Sequence, residues 1–277
     1  MTNTWFITGA SSGIGKGIAK VALAQGDRAV VTARDTKRLA ELAGAYPDTC
    51  LPVSLELSDP ASIRAAVQAA QEQFGTVDIL VNNAGHGYRA AIEEGEDAAV
   101  TALYADNLFG AITLTKLLLP AMRAQRRGAV VNVSSIAAVQ SGVGSGYYAS
   151  TKAALELVSD ALYQEVSPLG IKVMVVEPGS FRTRFYDEAL QGTGIKIEDY
   201  AATAGRTRKE NIRNLHDQPG DPDAAGRIIV ETIGKDDYPR TLLLGSDAVN
   251  LVRGVLQRKM TELEKWEAVS RGTDYKA

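Results

Sequence analysis

Short apolar runs alternate along the chain with longer segments whose apolar residues recur at helical spacing. Runs such as AVVNVSS at 129–135 and KVMVVEP at 172–178 are apolar on both sides of an extended strand. Strands of this kind are expected where helices cover both faces of a sheet. Strands are therefore predicted at residues 4–8, 28–32, 50–56, 79–82, 129–134, 172–177 and 241–244.

The segments between these strands predict helices. Regular alternation of strand and helix predicts an α/β fold, in which a doubly wound, seven-stranded parallel sheet carries helices on both faces and the crossovers are right-handed. A chain of 277 residues is long enough to build such a sheet as a single domain, 1–277. The helices are predicted at 13–25, 35–45, 60–74, 98–124, 148–167 and 223–233, with a last amphipathic stretch at 248–269.

Two segments depart from this alternation. Residues 180–221 are polar and irregular, which in a compact domain is typical of a lid or binding loop. A disordered excursion is the alternative. Aromatic residues that can close on a ligand favour a substrate lid with short helices: Phe181, Phe185, Tyr186 and Tyr200. Residues 246–277 are predicted to form a C-terminal helical extension, which either covers the substrate pocket or blocks a subunit interface. Its apolar stripe consists of Leu251, Val255, Met260 and Leu263.

Composition narrows the classes of function. Thirty Lys and Arg against 33 Asp and Glu give a net charge of −3, so no nucleic-acid partner is expected. No apolar stretch reaches about 18 residues, and the chain opens without a signal-peptide pattern, so no membrane partner and a cytoplasmic location are expected. The single cysteine, Cys50, excludes an internal disulfide. The two histidines, His86 and His216, are far apart in the sequence. Together with the lone cysteine they lack the spacing of metal ligands, so no metal site is predicted.

The first predicted strand runs into a glycine-rich turn, ITGASSGIGKGIAK at 7–20. In a strand-to-helix turn of this kind, one glycine permits the tight turn, a second lets the backbone approach a pyrophosphate, and a third lets the helix lie against the sheet. The free N–H groups at the helix N-terminus then receive the phosphate. Its place at the first strand–helix junction predicts a Rossmann dinucleotide site. The cofactor-binding residues predicted here are Gly9, Ser11, Ser12, Gly13, Ile14 and Gly15.

With Thr8, the turn reads Thr-Gly-x3-Gly-x-Gly and resembles that of the short-chain dehydrogenase/reductase family. The stretches 82–85 (NNAG) and 178–179 (PG) match its motifs after the fourth and sixth strands, and the resemblance spans about residues 3–245. It implies hydride transfer between a nicotinamide cofactor and a carbonyl or alcohol. The implied catalytic residues are Asn107, Ser135, Tyr148 and Lys152. The implied cofactor contacts are Asn83, Ala84, Gly85, Asn107, Tyr148, Lys152, Pro178, Gly179 and, at the nicotinamide carboxamide, Thr183.

Two adjacent tyrosines stand in the stretch GYYASTK at 146–152, and Tyr148 is the predicted proton donor. A free tyrosine has a pKa near 10, which an ammonium group on the same helix face is expected to lower. Lys152 stands four residues after Tyr148, whereas Tyr147 has Thr151 at that offset and is expected to pack or to shape the pocket.

The resemblance assigns roles to the other three residues. The family's serine precedes its tyrosine by about a dozen residues. Ser135 stands 13 before Tyr148 and is assigned to hold the carbonyl oxygen, while Ser134 also qualifies by position and is interpreted as a capping or pocket group. Asn107 is implied to hold a water that links Lys152 to solvent. Lys152 is also implied to reach the nicotinamide ribose.

The end of the second predicted strand bears on the choice of cofactor. Members of the family that prefer NAD carry an aspartate where this chain has Ala33, and Arg34 follows directly. A guanidinium can bind a 2′-phosphate, so NADP(H) is predicted, with assistance from Lys37 and Arg38. Asp35 is interpreted as the start of the next helix. After the third strand, the resemblance implies that Glu56 faces the adenine amino group and that Leu57 covers the ring.

The preferred interpretation is an NADP(H)-dependent ketone or aldehyde reductase. An alcohol or hydroxysteroid dehydrogenase working in the oxidative direction would use the same residues. The rival from another class is a non-catalytic NADP-sensing protein, although such proteins typically lose the tyrosine or the lysine.

A small-molecule carbonyl or alcohol is the expected substrate, selected by residues 86–88, the small-residue loop 141–146 and the lid. Arg89, Arg182 and Arg184 are candidates for binding an anionic substrate, with a solvated charge or a cofactor contact as the alternative. The resemblance also implies a homodimer or homotetramer formed through the helices at about 100–124 and 148–167. Three leucines either join such an interface or face the sheet: Leu114, Leu117 and Leu118.

Overall fold

The computed structural model describes residues 2–212 and 217–275. His216, one of the two histidines considered in the sequence, lies outside these ranges. In the described part of the chain the strands are β1 (Thr4–Ile7), β2 (Arg28–Ala33), β3 (Cys50–Ser54), β4 (Ile79–Asn82), β5 (Gly87–Arg89), β6 (Gly128–Val133), β7 (Ile171–Pro178), β8 (Leu190–Gly192) and β9 (Thr241–Leu244).

Seven of these strands form one sheet in the order β3-β2-β1-β4-β6-β7-β9, and every neighbouring pair is parallel. The prediction of a doubly wound, seven-stranded parallel sheet is confirmed. The strand order reverses between β1 and β4, and ligands bind at the carboxyl ends of the strands at such a switch point. The fold therefore places a site where the glycine-rich turn and the 82–85 stretch begin.

Helices cover both faces of the sheet. They are α1 (Gly13–Ala24), α2 (Ala40–Ala45), α3 (Pro60–Phe74), α4 (Asp97–Tyr104), α5 (Gly110–Gln125), α6 (Gly146–Val166), α7 (Pro222–Ile233) and α8 (Ser246–Arg271). Buried residues of α1, α2 and α7 pack on one face of the sheet, and those of α3, α5 and α6 pack on the other. This arrangement explains why the central strands are apolar on both sides.

A glycine pair holds α1 firmly in place. A Cβ on Gly226 of α7 would lie 2.2 Å from the carbonyl carbon of Gly17 in α1, and one on Gly17 would lie 2.4 Å from the carbonyl oxygen of Pro222. The two helices therefore touch through their backbones, which fixes the helix that begins at the glycine-rich turn.

The predicted helix at 98–124 is not one regular helix. A π-helical turn, Ala105–Phe109, separates α4 from α5 and contains Asn107. Such turns are frequent at functional sites because the wider turn re-aims a side chain. The prediction at 35–45 also needs correction, since a 3₁₀ turn, Thr36–Leu39, precedes α2.

The irregular segment from residue 180 contains short helices, as its sequence indicated. They are the π-helical turn Phe185–Ala189 and the 3₁₀ turns Glu198–Tyr200, Ala204–Thr207 and Lys209–Asn211. The segment also carries β8, which pairs in parallel with β5 in a separate two-stranded sheet. Three-residue strands leave too little periodicity for a sequence pattern to reveal them, and neither was predicted.

The helix α8 confirms the helical character of the C-terminal stretch. Of its predicted apolar stripe, Val255 is buried and Leu251 half-buried, whereas Met260 and Leu263 are exposed. Only the first half of the helix therefore packs on the body of the protein. Within the described residues, no helix combines the length and the apolarity needed to cross a membrane.

Candidate active site

Glycine shapes the turn between β1 and α1. Gly9 and Gly13 have φ angles of +67° and +57°, a region that favours glycine. A Cβ on Gly15 would lie 2.4 Å from Nδ2 of Asn83, so no other residue fits there without displacement. Ser12 caps α1 without a side-chain hydrogen bond. The first N–H groups of the helix therefore remain free to receive an anion.

The segment after β4 supports this turn from the neighbouring strand. The Asn83 side-chain amide donates to the carbonyl oxygens of Thr8 and Gly9 at 2.9 and 3.2 Å. The Thr8 hydroxyl accepts from the backbone N–H groups of Asn83 and Ala84, both at 2.9 Å. These bonds hold the two turns in a fixed relation, as a preformed cradle requires.

Ser135, Tyr148 and Lys152 line the same cavity. Ser135 lies close enough to the Tyr148 hydroxyl to lower its pKa, and Ser135 Oγ accepts from the N–H of Ala137 at 3.1 Å. Lys152 lies one turn after Tyr148 on α6, with Nζ 5.9 Å from the tyrosine ring centroid. It donates to the Val133 carbonyl oxygen at 2.9 Å. The structure thus brings together three residues that the sequence assigned to catalysis.

Burial governs the ionisation of this cluster. It raises the pKa of Tyr148 to about 12, and the opposing effects of the Ser135 hydrogen bond and of Arg89 are smaller. The expectation of a net lowering of this pKa is therefore wrong for this arrangement, because desolvation of the phenolate outweighs the groups that stabilise it. Burial also lowers the pKa of Lys152 to about 8, against the charge of Glu156. Tyr148 consequently keeps its proton near neutral pH, as a proton donor must.

Asn107 lies beside the cluster, almost completely buried. Its side-chain Nδ2 donates to the His86 carbonyl oxygen at 2.9 Å and to the Thr151 hydroxyl at 3.2 Å, while its Oδ1 accepts from the His86 N–H at 2.9 Å. A Cβ on Gly85 would lie 3.0 Å from Asn107 Oδ1 and 3.3 Å from Lys152 Nζ. The glycine therefore leaves open the space between the two polar groups.

Tyr147 and Ser134, the neighbours considered as alternatives to Tyr148 and Ser135, make other contacts. The Tyr147 hydroxyl donates to the Ile92 carbonyl oxygen at 2.6 Å, and its ring packs 6.2 Å from that of Tyr88. Ser134 donates to Glu156 Oε1 at 2.5 Å and is buried. Both residues make contacts within the protein, which leaves Tyr148 and Ser135 as the neighbouring pair whose side chains are available at the cavity.

Arg34 lines the opposite end of the cavity and is exposed. Asp35 caps the following 3₁₀ turn by accepting from the Lys37 N–H at 3.0 Å, so its interpretation as a helix start is confirmed. Arg38 also lines the cavity, but its guanidinium pairs with Glu188 of the 180–221 segment at 2.5 Å. Arg34 is therefore the cation at this end with no acidic partner in the described part of the chain.

The remaining predicted cofactor residues lie along the same cavity. Glu56, Leu57, Asn83, Ala84, Gly85, Pro178, Gly179 and Thr183 all line it. The carboxylate of Glu56 accepts from the Ser58 hydroxyl at 3.2 Å. Gly15 lies below the surface in α1, and Asn107 stands behind Gly85.

The aromatic residues of the predicted lid divide into two groups. The Phe185 ring lies 5.7 Å from that of Tyr148, and Tyr186 packs edge-on against Phe185 at 5.5 Å. Phe181 packs in the core and also lines the cavity. Tyr200 turns away, and its hydroxyl donates to Glu93 at 2.8 Å. Phe185 and Tyr186 thus form the wall of the cavity beside the tyrosine.

Together these residues enclose one cavity of about 930 Å³, which runs from the glycine-rich turn to Tyr148. The model of the family described as short chain dehydrogenase matches residues 3–193.

The chain belongs to the short-chain dehydrogenase family. It is an oxidoreductase of that family. Oxidoreductase BOA17 from Botryotinia fuckeliana is 33% identical to it over 271 residues, 98% of each chain. A 3-ketodihydrosphingosine reductase from Bacteroides thetaiotaomicron is 37% identical over 239 residues, 84% of each chain. A solved short-chain dehydrogenase from Streptomyces avermitilis shares 42% identity and superposes with a TM-score of 0.91, covering 99% of this chain and 98% of its own.

Two polar contacts of this short-chain dehydrogenase escaped the sequence reasoning. Asp247 at the start of α8 accepts from the Ser180 N–H at 2.7 Å, and a Cβ on Gly179 would lie 2.3 Å from its Oδ1. His86 Nε2 lies 3.3 Å from Asp106 Oδ2. Both join residues distant in sequence, and the only local signal was the capping pattern Gly-Ser-Asp before α8.

Proposed function

We propose that this short-chain dehydrogenase reduces a ketone or aldehyde with NADPH. The observation that carries the proposal is one cavity that contains Ser135, Tyr148 and Lys152 and continues to the glycine-rich turn and Arg34. A dinucleotide fits this cavity because the left-handed glycines, the free helix N-terminus and the glycine at position 15 form a cradle that a Cβ would fill.

When bound, the nicotinamide cofactor supplies the hydride. Ser135 positions the carbonyl oxygen by a hydrogen bond and stabilises the negative charge that develops there. Tyr148 donates the proton to that oxygen, and its raised pKa of about 12 favours the protonated phenol that reduction requires. Lys152, as the ammonium ion, stabilises the phenolate left behind. The space beside Gly85, between Asn107 and Lys152, suits a water that returns the proton from solvent.

The preference for NADPH rests on Arg34. It directly follows Ala33, the last residue of β2, where the chain lacks the acidic residue that would bind a ribose 2′-hydroxyl. Its guanidinium is suited to a 2′-phosphate, while the neighbouring Asp35 caps the following 3₁₀ turn. Arg38 reaches the same end of the cavity but is paired with Glu188. The Bacteroides relative is a 3-ketodihydrosphingosine reductase, which supports the reductive direction.

The proposal is tested by following NADPH oxidation over a panel of ketones and aldehydes. We expect Tyr148→Phe to lower kcat at least about 10²-fold, the scale of an acid–base group, while Tyr147→Phe retains measurable turnover. Arg34→Ala is expected to raise the KM for NADPH at least about tenfold and to leave the KM for NADH within about twofold. A wild type that prefers NADH, or a Tyr147→Phe loss larger than that of Tyr148→Phe, contradicts the proposal.

We further propose that the enzyme assembles as a homodimer or homotetramer through α5 and α6. Leu157 and Val158 on α6 are 74% and 40% exposed, and Phe109, just before α5, is 57% exposed. Of the three leucines weighed from the sequence, Leu114 and Leu118 are buried against the sheet and cannot supply the interface, while Leu117 is half-buried against the same core. Light scattering of wild type and Leu157→Glu tests this, since a monomeric wild type rules the assembly out.

A cytoplasmic location is also proposed. Its support is the single cysteine, Cys50, which is buried as a free thiol, since disulfides stabilise proteins of oxidising compartments. Fractionation of the source cells checks it, and recovery outside the cytoplasm would contradict it.

A further inference from the structure

We propose that Arg89 anchors an anionic group of the substrate, so that the preferred substrates are oxo acids whose carboxylate pairs with this arginine while their ketone or aldehyde group is reduced. This inference rests on the proposed carbonyl reduction and adds to it the chemical class of the substrate.

The backbone fixes Arg89 at the cavity. It is the last residue of β5 and is paired with Gly192 of β8, so both strands of the small sheet hold it. Successive side chains of a strand point to opposite sides. The preceding Tyr88 is 1% exposed and packs against Leu103 in a small apolar cluster, which directs Arg89 to the other side, where it lines the cavity.

The charge of Arg89 has no acidic partner. Its guanidinium donates to the Ser145 hydroxyl and forms no ion pair with any residue in 2–212 or 217–275. The other arginines that line the cavity beside the lid, Arg38 and Arg184, share the carboxylate of Glu188. A guanidinium carries five N–H donors, so most of those on Arg89 remain available to a ligand.

Burial makes this isolated charge costly. Arg89 is half-buried, and burial is the largest cause that lowers its pKa. A solvated surface charge would not show this effect. A buried guanidinium is stabilised when it meets a carboxylate in bidentate geometry, and the carboxylate of a ligand would supply the partner that Arg89 lacks among residues 2–212 and 217–275.

The anchor lies within electrostatic reach of the reacting groups. The charge of Arg89 lowers the pKa of Tyr148, and the ionisable groups that act on Arg89 are Tyr186 and Tyr148. Its partner Ser145 immediately precedes α6, which carries Tyr148. An oxo acid held at Arg89 therefore places its carbonyl near the proton donor.

The small residues of the loop between the 3₁₀ turn Ile136–Ala138 and α6 leave room for such a ligand. Ser141, Gly142 and Ser145 line the cavity there. The nearest atom to a Cβ added at Gly142 is the Ser145 hydroxyl oxygen at 3.9 Å. The cavity is therefore lined by small side chains at this loop, next to the Ser145 partner of Arg89.

The test compares matched substrate pairs, in which 2-, 3- and 4-oxo acids are each measured beside their methyl esters with saturating NADPH. We expect wild-type kcat/KM for at least one acid to exceed that of its ester at least about tenfold. Arg89→Gln is expected to lower kcat/KM for that acid at least about 10²-fold, the scale for removing one partner of a buried charge pair, and to leave the ester within about threefold.

Two further variants control for charge and for folding. Arg182→Gln removes an exposed lid arginine that does not line the cavity and is expected to leave both substrates within about twofold. Arg89→Lys keeps the charge without the bidentate fork and is expected to retain an intermediate preference for the acid. The Kd for NADPH verifies that each variant is folded.

The outcomes separate this inference from the proposed function. If wild type reduces every ester as well as its acid, or if Arg89→Gln lowers acid and ester equally, the anchor is refuted while carbonyl reduction stands. If neither Arg89 variant folds, the comparison of each acid with its ester in the wild type alone tests the inference. If no carbonyl compound in the panel is reduced, the proposed function is contradicted, and so is the role of Arg89 that depends on it.

Discussion

The two ends of the cavity are built in different ways. At the cofactor end, backbone turns close on each other without room for side chains, as at Gly9, Gly15 and Asn83, and neutral hydrogen bonds of 2.9 to 3.2 Å hold them. At the substrate end, an irregular segment is held against the body by charged side chains, as where Arg208 pairs with the buried Glu94. One end is a fixed cradle, and the other is a wall whose position depends on ion pairs.

Glu94 is the central attachment of that wall. It is 0% exposed, and its carboxylate accepts from the N–H groups of Ala91 and Ile197 at 3.1 and 2.9 Å in addition to its pairing with Arg208. Burial favours the neutral acid, but the two backbone hydrogen bonds and Arg208 outweigh burial and lower the pKa of Glu94. The carboxylate thus remains charged and joins residues more than 100 positions apart in sequence.

Replacing Glu94 is expected to have the largest effect. In Glu94→Gln the amide NH₂ must face an N–H group or the Arg208 guanidinium, which leaves a buried charge without its partner. We expect the free energy of unfolding to fall by about 3 kcal/mol and the KM for the carbonyl substrate to rise at least about tenfold, with the Kd for NADPH unchanged within about twofold. Urea denaturation and steady-state kinetics measure these quantities.

The matched control for this prediction is Glu93→Gln. Glu93 is the neighbouring residue, is exposed, and accepts only from the Tyr200 hydroxyl among the contacts described. It is expected to change stability by less than about 0.5 kcal/mol. Equal weakening of substrate and NADPH binding in Glu94→Gln would show that the two ends of the cavity are not independent.

The cofactor end is probed by Gly15→Ala. The added Cβ would meet Asn83 Nδ2 at 2.4 Å and the Gly9 carbonyl oxygen at 2.6 Å, so the turn must open. Overpacking of this kind costs about 1 to 3 kcal/mol, and we expect the Kd for NADPH to rise about 10- to 100-fold in a fluorescence titration. Gly44→Ala in α2, where nothing lies within 4 Å of the new Cβ, is expected to leave the Kd unchanged. A similar Kd in both variants would refute the cradle.

This comparison also explains how far the sequence could predict the molecule. The cofactor end follows from local rules, since glycines at a strand–helix junction, the offset from Tyr148 to Lys152 and the interval to Ser135 all lie within short stretches. The family assignment and the sheet could be predicted on that basis and are confirmed.

The substrate end depends on contacts between distant residues, which no periodic pattern encodes. The pair of Arg208 with Glu94 and the pairing of β5 with β8 arise only when the chain is folded. The same holds for the pair of Arg38 with Glu188, which joins the 180–221 segment to the cofactor end. The rise in the pKa of Tyr148 escaped for the same reason, because desolvation depends on the complete wall and not on the lysine four residues away.

The smallest predicted effect concerns the residues where the two ends meet. Glu156 lies one turn after Lys152 on α6, and its carboxylate accepts from the Ser134 hydroxyl at 2.5 Å. Burial lowers the pKa of Lys152 to about 8, and the charge of Glu156 opposes part of this lowering. Burial raises the pKa of Glu177 on β7 to about 7, and the charge of the nearby Glu156 contributes to this rise. Lys152, the proposed catalytic lysine, therefore lies beside the half-buried carboxyl group of Glu156, which in turn lies near the buried Glu177.

Glu156→Gln removes the contribution that keeps Lys152 protonated. If the ammonium form is the active one, wild-type kcat falls as the pH rises through the pKa of Lys152, and in the variant this fall begins at lower pH. The displacement is expected to be less than about one pH unit, which corresponds to about 1.4 kcal/mol. Tyr148, with its pKa of about 12, titrates above this window and does not contribute. Glu165→Gln, exposed near the end of the same helix, is the control, and pH–rate profiles of all three proteins decide. A kcat that instead rises with pH through this window would mean that neutral Lys152 is the active form, and a fall that stays in place in Glu156→Gln would contradict the contribution of Glu156.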